Sequence, residues 1–194
     1  MGLFVRNLAD VLKTEGEEFV RNLIDSFSCK YNADVDSYLK EDAVLFTAMS
    51  STVTHFVFDS DTGLCVAYFA LTHKPIAIAK EVLSGNQRKR VERFSKFDDD
   101  AKRYHVSAYL IAQLAKNYNA ADGKLITGEQ LLDLAKGELR IAKKQVGGQV
   151  FFIEKEQGNA KLDEFYKRNG FVQFDSRVSE EDSITYDLMF SFLK

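Results

Sequence analysis

Apolar residues recur every three or four positions over residues 4–27, at Phe4, Leu8, Val11, Leu12, Phe19, Leu23, Ile24 and Phe27. This is the spacing of a helix that buries one face, and Gly16 divides it into two helices or one kinked helix. A second helical pattern follows Asp34 through Val35, Tyr38, Leu39, Ala43, Phe46 and Met49. The period then falls to two. Residues 52–59 alternate through Val53, His55, Val57 and Asp59, residues 60–63 have turn composition, and residues 64–71 resume as a strand rich in aromatic and β-branched side chains. An antiparallel hairpin is expected there. Pro75 interrupts the extended pattern, and residues 80–103 are strongly charged with few apolar anchors.

A long apolar strand is expected from Tyr104 to Ala115, followed by a loop over residues 117–127 that carries Gly, Asn and Asp. From Gly128 to Val146 the spacing of Leu131, Leu132, Leu134, Ala135, Leu139 and Ala142 marks an amphipathic helix, which Gly147-Gly148 stops. The next strand starts at Gln149. Residues 151–171, FFIEKEQGNAKLDEFYKRNGF, read as a strand, a polar turn bearing Asn159, and a short amphipathic helix that ends in Phe165-Tyr166 and closes at Asn169-Gly170. Two further extended patterns flank the polar, acidic residues 176–183. The order predicts a mixed α/β chain around a central sheet.

Composition adds limits. The 194 residues, 45% hydrophobic and 28% charged, suit one domain, or one domain with an added segment, that buries a real core. The longest apolar candidate, residues 106–115, is broken by Ser107 and Gln113, so no stretch approaches the roughly 18 residues of a membrane span. Arg6, Asp10, Lys13 and Glu15 arrive too early for a secretion signal. A cytosolic protein with Cys29 and Cys65 reduced is the expectation. The net charge of −3 argues against coating nucleic acid by bulk electrostatics, although Arg88, Lys89, Arg90, Arg93 and Lys96 form a local basic cluster.

The stretch of residues 151–171 resembles the final strand-helix motif of the GNAT-superfamily N-acetyltransferases. Asn159, Phe165, Tyr166, Gly170 and Phe171 match its pattern, while Leu162 stands where the family has Ala. The resemblance implies an α/β (α+β) GNAT fold, in which helices flank a central mixed, mostly antiparallel twisted sheet. It reaches from Phe27 to Phe174, so residues 27–194 are expected to form the acyltransferase domain, leaving residues 1–26 as an added N-terminal helical segment. It also implies acetyl-CoA (coenzyme A) as the cofactor and an amine as acceptor, and it calls for no metal.

Further roles follow from the same resemblance. The backbone of Leu114, Ala115 and Lys116 would pair with the pantetheine arm, Lys116 occupying a position that is usually Val. Acetyl-CoA would lie between this strand and the strand at residues 151–154. Its pyrophosphate would sit on the amides of Gly123, Lys124, Leu125, Ile126, Thr127, Gly128 and Glu129, where a helix N-terminus offers free N–H groups. Of the family's loop pattern only Gly128 is kept: Gly123 replaces the leading Gln/Arg and Ile126 the middle glycine, with Lys124 a substitute positive charge. Thr127 equally suits a helix N-cap that holds no ligand.

Tyr166 would protonate the departing thiolate, and Asn159 would cap its helix and contact the cofactor arm. Glu154 and His105 are the candidate bases for the acceptor amine. Phe27-Ser28-Cys29, Tyr38-Leu39, Ala43, Phe56-Val57 and residues 66–71 are similar in order and spacing to a GNAT branch that holds tRNA-acetylating toxins of toxin-antitoxin pairs. The leading expectation is an acetyl-CoA-dependent N-acetyltransferase. A tRNA-directed toxin and a catalytically silent binding module are the alternatives, and the N-terminal segment is a candidate dimerisation arm.

Overall fold

The computed structural model describes residues 2–180 and 183–194, so residues 181 and 182 of the acidic stretch lie outside the described residues. In chain order the elements are β1 (Leu3–Asn7), α1 (Leu8–Glu15), α2 (Glu17–Asp25), α3 (Ala33–Ser37), α4 (Ala43–Ala48), β2 (Val53–Asp59), β3 (Cys65–Ala79), α5 (Gly85–Val91), β4 (Phe97–Asp98), β5 (Arg103–Lys116), α6 (Gly128–Val146), β6 (Val150–Glu156), α7 (Ala160–Arg168), β7 (Val172–Val178) and β8 (Thr185–Phe192). The strands hydrogen-bond in the order β1-β2-β3-β5-β6-β8-β7, with β4 on β5. The expected mixed, mostly antiparallel sheet with helices is therefore present. By its contacts the chain divides into two compact units, Met1–Thr72 with Ile111–Ile141 and His73–Leu110 with Ala142–Lys194.

The first unit corrects the reading of the N-terminus. Residues Leu3–Asn7 form a strand, not the start of a helix, and pair antiparallel with β2 from Leu3↔Asp59 to Asn7↔His55. A partner some fifty positions away overrode the local helical spacing. The Asn7 side chain then accepts a hydrogen bond from the Ala9 N–H and caps α1. Gly16, at φ +88°, turns the chain into α2. The pattern after Asp34 is a helical run in which one π turn, Tyr38–Asp42, links α3 to α4 and buries Tyr38 and Leu39. Leu8, Val11, Val20, Ile24, Phe27, Leu39, Phe56 and Tyr68 belong to the core of this unit.

The hairpin of β2 and β3 forms as expected, but β3 runs on through Pro75 to Ala79. The β2 register ends at Val53↔Leu71, so beyond it that flank of β3 is an edge, where a residue without an N–H is tolerated. Helix α6 has the expected bounds and buries Leu131, Leu132, Ala135 and Leu139.

In the second unit β5 pairs with β6 in parallel over Ala108↔Val150, Tyr109↔Phe151 and Leu110↔Phe152. Strand β8 pairs antiparallel with β6 on one side and with β7 on the other. Gly148, at φ +91°, lies so close to the Tyr109 ring that a Cβ would stand 2.8 Å from it, and the Tyr109 hydroxyl donates to the Gly147 carbonyl. Within the charged segment Ser84 and Gln87 form a capping box that starts α5. Among the described residues no helix is long and apolar enough to cross a membrane, and Cys29 and Cys65 are free and buried.

Buried His55, stacked on Phe69 and 4.0 Å from the Glu138 carboxylate, has its pKa pushed down from 6.5 to about 4, chiefly by desolvation. The folded state therefore binds fewer protons than the unfolded chain between these values, so stability falls as pH drops from 6.5 to about 4. Urea unfolding of wild type and His55→Phe across that window is expected to show an extra loss of roughly 3 kcal/mol in wild type. Parallel curves would remove His55 as the cause.

Candidate functional site

Strand β5 carries Leu114, Ala115 and Lys116 at its carboxyl end, with Ala115 in the core of the first unit and its neighbours partly exposed. The next residue, Asn117, is buried and works as a latch. Its Oδ1 accepts from the N–H groups of Ser28 and Asn119, its Nδ2 donates to the Cys65 carbonyl, and its own N–H donates to Val66. The strand end and the loop before α3 are thus held together.

The following loop collects positive charge. Lys116 Nζ donates to the Gly123 carbonyl at 2.9 Å. Lys30 Nζ donates to Asp122 at 2.8 Å and stands 5.1 and 5.2 Å from the ring centres of Tyr118 and Tyr31. Exposed Lys124 lies 3.9 Å from the same aspartate. The Lys30 hydrogen bond and charge hold the Asp122 carboxyl below the usual range. Three ammonium groups against one carboxylate leave an excess of positive charge at this loop.

Gly123, at φ +68°, packs its α-carbon against Tyr118, and Ile126 is buried. The side chain that replaces the middle glycine therefore points inward as the loop's anchor. Leu125 is half-buried and Glu129 exposed. Thr127 caps α6: its hydroxyl accepts from the Gln130 N–H at 3.1 Å, and the Gln130 side chain accepts from the Thr127 N–H at 2.9 Å. This satisfies two amides of the helix start from within. Gly128 begins a helix of 19 residues, whose positive end together with the lysines suits a phosphate-bearing group.

The second unit holds Glu154, Asn159 and Tyr166. Asn159 Oδ1 accepts from the Leu162 N–H at 3.2 Å and caps α7. Tyr166 is the buried residue of α7, with ring centres 5.1 Å from Phe165 and 5.2 Å from Phe171. Phe171 in turn stands 5.1 Å from Phe151, so α7 covers the face of β6 that bears Phe151, Ile153 and Lys155. Burial raises the Tyr166 pKa to about 12.

Glu154 belongs to the other face of β6. Its Oε2 accepts from Nε of Arg177 at 2.9 Å and also from Nη2, and its side chain is 17% exposed. His105 is exposed, at 3.4 Å from the Asp98 carboxylate. In the basic cluster, Arg90 is spent internally: it donates to the Leu193 carbonyl at 2.9 Å and lies over the Phe192 ring at 4.3 Å. Lys89, Arg93, Phe94 and Lys96 are exposed.

Sequence reasoning missed Lys30, Tyr118 and Asn117, whose partners lie up to 92 positions away. It also missed a buried ion network behind α7. Lys155 Nζ donates to Asp187 Oδ2 at 2.8 Å and lies 3.6 Å from Asp163 of α7. Gln157 and Gln173 donate to Asp187 Oδ1 at 3.2 and 2.9 Å. The one signal was a lysine inside an otherwise apolar strand face.

No protein-family model matches this chain, and no curated protein sequence does. Solved structures do resemble it. A tyrosine-to-phenylalanine mutant of KacT superposes with a TM-score of 0.66 at 20% identity, over 100% of this chain and 96% of that one. AtaT complexed with acetyl-methionyl-tRNAfMet gives 0.62 at 16% identity, over 95% and 94%. An AtaT mutant toxin bound to acetyl-CoA and the C-terminus of the antitoxin AtaR gives 0.58 at 15%, over 98% and 93%. The likeness shows the fold, which is the GNAT fold expected from the sequence.

Gly123→Ala would place a Cβ 3.0 Å from the Tyr118 ring at a left-handed backbone position. A loss of about 1–2 kcal/mol is expected in urea unfolding, from the left-handed strain alone. An unchanged midpoint would mean that the loop does not keep this conformation in solution.

Proposed function

We propose that this chain is an acetyl-CoA-dependent N-acetyltransferase that works by direct attack of an acceptor amine on the thioester. The observation that carries the reading is Tyr166, a buried phenol on the helix that the fold sets against β6. Its support is the shared fold, since one neighbour holds acetyl-CoA.

In this reading the backbone of Leu114, Ala115 and Lys116 pairs with the pantetheine arm as an added strand would. The N–H groups of Gly123, Lys124 and Thr127 already donate to the Ala120 and Ala121 carbonyls and the Gln130 side chain, so the pyrophosphate is assigned to the backbone of Leu125, Ile126, Gly128 and Glu129, and the lysines around Gly123 add the charge that the degenerate motif lacks. Gly128 at the start of α6 is the favoured amide, because Thr127 and Gln130 already satisfy each other. The amide nitrogen of Asn159 is assigned to the cofactor arm, its oxygen being used as the cap.

Acetyl-CoA supplies an activated acetyl group and a thiolate leaving group. Tyr166 delivers the proton to that sulfur. A phenol at about 12 is a weak acid for a free thiolate in water, but the burial that raises it also penalises a thiolate formed in the same apolar surroundings. The two affinities are thereby brought closer. Glu154 is assigned to the acceptor amine: a carboxylate held by a guanidinium is shaped for a cation, and an incoming ammonium would take over the place of Arg177 before losing its proton. The reading carries with it a cytosolic location.

Calorimetry is expected to show acetyl-CoA binding to wild type and to Tyr166→Phe alike, with turnover reduced about 100-fold or more in the variant. Because Tyr166 stays protonated to about 12, its ionisation produces no fall in rate between pH 7 and 9. No binding of acetyl-CoA by wild type would sink the reading. Binding without turnover on amines, proteins or charged tRNAs would leave a silent module.

A second reading is favoured by one surface. Lys89, Arg93 and Lys96 are exposed and stand near exposed Phe94 in the sequence, a combination of cations and an aromatic that suits RNA, and the neighbour AtaT is complexed with an acetylated aminoacyl-tRNA. In that case the acceptor is the amino group of a charged tRNA, and an antitoxin would be the natural partner. Replacing the three cations with Gln is expected to weaken charged-tRNA binding and to lower the slope of log K against log salt by about two to three. An unchanged slope would exclude this face.

A further inference from the structure

Helix α7 is held to its unit by little apolar contact. Of its nine residues only Tyr166 is buried, so greasy packing alone leaves its rotation about its own axis weakly defined. Behind it lies an arrangement that apolar packing would not require. Lys155 is a charged residue with 2% side-chain exposure, in the face of β6 that carries Phe151 and Ile153, and its partner Asp187 is 7% exposed. Burying two charges is costly unless geometry and hydrogen bonding are complete. Here the aspartate is fully partnered, taking Lys155 on one oxygen and Gln157 and Gln173 on the other. The anchored ammonium still faces Asp163, which lies 3.6 Å away in the first turn of α7.

Asp163 precedes Tyr166 by three positions, so the two side chains share one side of the helix. We propose that Lys155, fixed by Asp187 and reaching Asp163, is a positioning residue that sets the rotation of α7 and thereby aims the Tyr166 hydroxyl. The inference rests on the reading of Tyr166 as proton donor. The lysine touches no reacting atom. It transmits the rigidity of the β6–β8 pair to a helix that has few other holds. Lys167, on the exposed side, also pairs with Asp163 at 2.6 Å, but a solvated partner on the same helix cannot orient that helix against the sheet.

The test uses the full chain with tyrosine labelled at Cζ, and the Tyr166 resonance is identified by its loss in Tyr166→Phe. In wild type this signal stays unmoved through pH 10, while exposed tyrosines titrate. Asp163→Ala is expected to broaden it and to bring its titration from about 12 down toward 10, with little change in the thermal midpoint. Asp163→Glu, which restores the carboxylate, and Lys167→Met, which removes only the exposed partner, should keep the wild-type signal. In turnover, Asp163→Ala should lower kcat about tenfold at constant KM for acetyl-CoA.

A Tyr166 signal unmoved in Asp163→Ala overturns the proposal. So does a moved signal with wild-type kcat, if Tyr166→Phe has lowered kcat. Should Asp163→Ala fail to fold, Asp163→Asn replaces it under the same criteria. Absence of acetyl-CoA binding by wild type refutes the functional reading instead, a result that calorimetry separates from the spectra.

Discussion

The parallel pairing of residues 108–110 with residues 150–152 is the constraint from which the rest of the candidate site follows. Parallel strands cannot be joined by a tight turn, so the chain must travel back the length of a strand before β6 can begin. Helix α6 makes that journey, its 19 residues covering about 28 Å. A helix that starts after the carboxyl end of β5 brings its positive end and its unpaired amides to that end. The loop between must then answer two demands, turning sharply and handling those amides. Gly123 answers the first with a left-handed backbone, and Thr127 with Gln130 answers part of the second.

What remains at that loop is charge and backbone. Lys30, Lys116 and Lys124 gather about Asp122 and Gly123, although the glycine pattern that usually marks such a loop is nearly gone. Ile126, where the motif has glycine, sends its side chain into the core. The second unit solves a different problem. A helix with one buried residue needs a polar hold, and Lys155 with Asp187 provides one at a point where apolar side chains would allow the helix to turn.

Much of this was legible in the residues, and the exceptions share a cause. Helix α6 and the strand-turn-helix of β6 and α7 were readable because their signals are local: apolar spacing, a capping Asn159 and a closing Gly170. Strand β1 was not, since Phe4 and Leu8 fit a helical spacing and only pairing with residues 55–59 makes residues 3–7 extended. Pro75 read as an interruption because the sequence cannot tell that β2 stops pairing at Leu71. At the candidate site, the residue types of Tyr166 and Asn159 could be read, but their settings could not. Glu154 and Tyr166 are separated by twelve positions with nothing to say that they occupy opposite faces of β6. The Arg177 that holds Glu154, and the Asp187 that holds Lys155, are placed by β7 and β8, whose register no local pattern encodes.

The central claim of the proposed function is that the backbone at residues 111–116 and 123–129 binds acetyl-CoA. Amide hydrogen exchange with and without saturating acetyl-CoA tests it most directly. Slower exchange is expected in both of those segments, with residues 3–25 unchanged. Exchange that is unaltered in the strand end and the loop, or slowed only elsewhere, would contradict it.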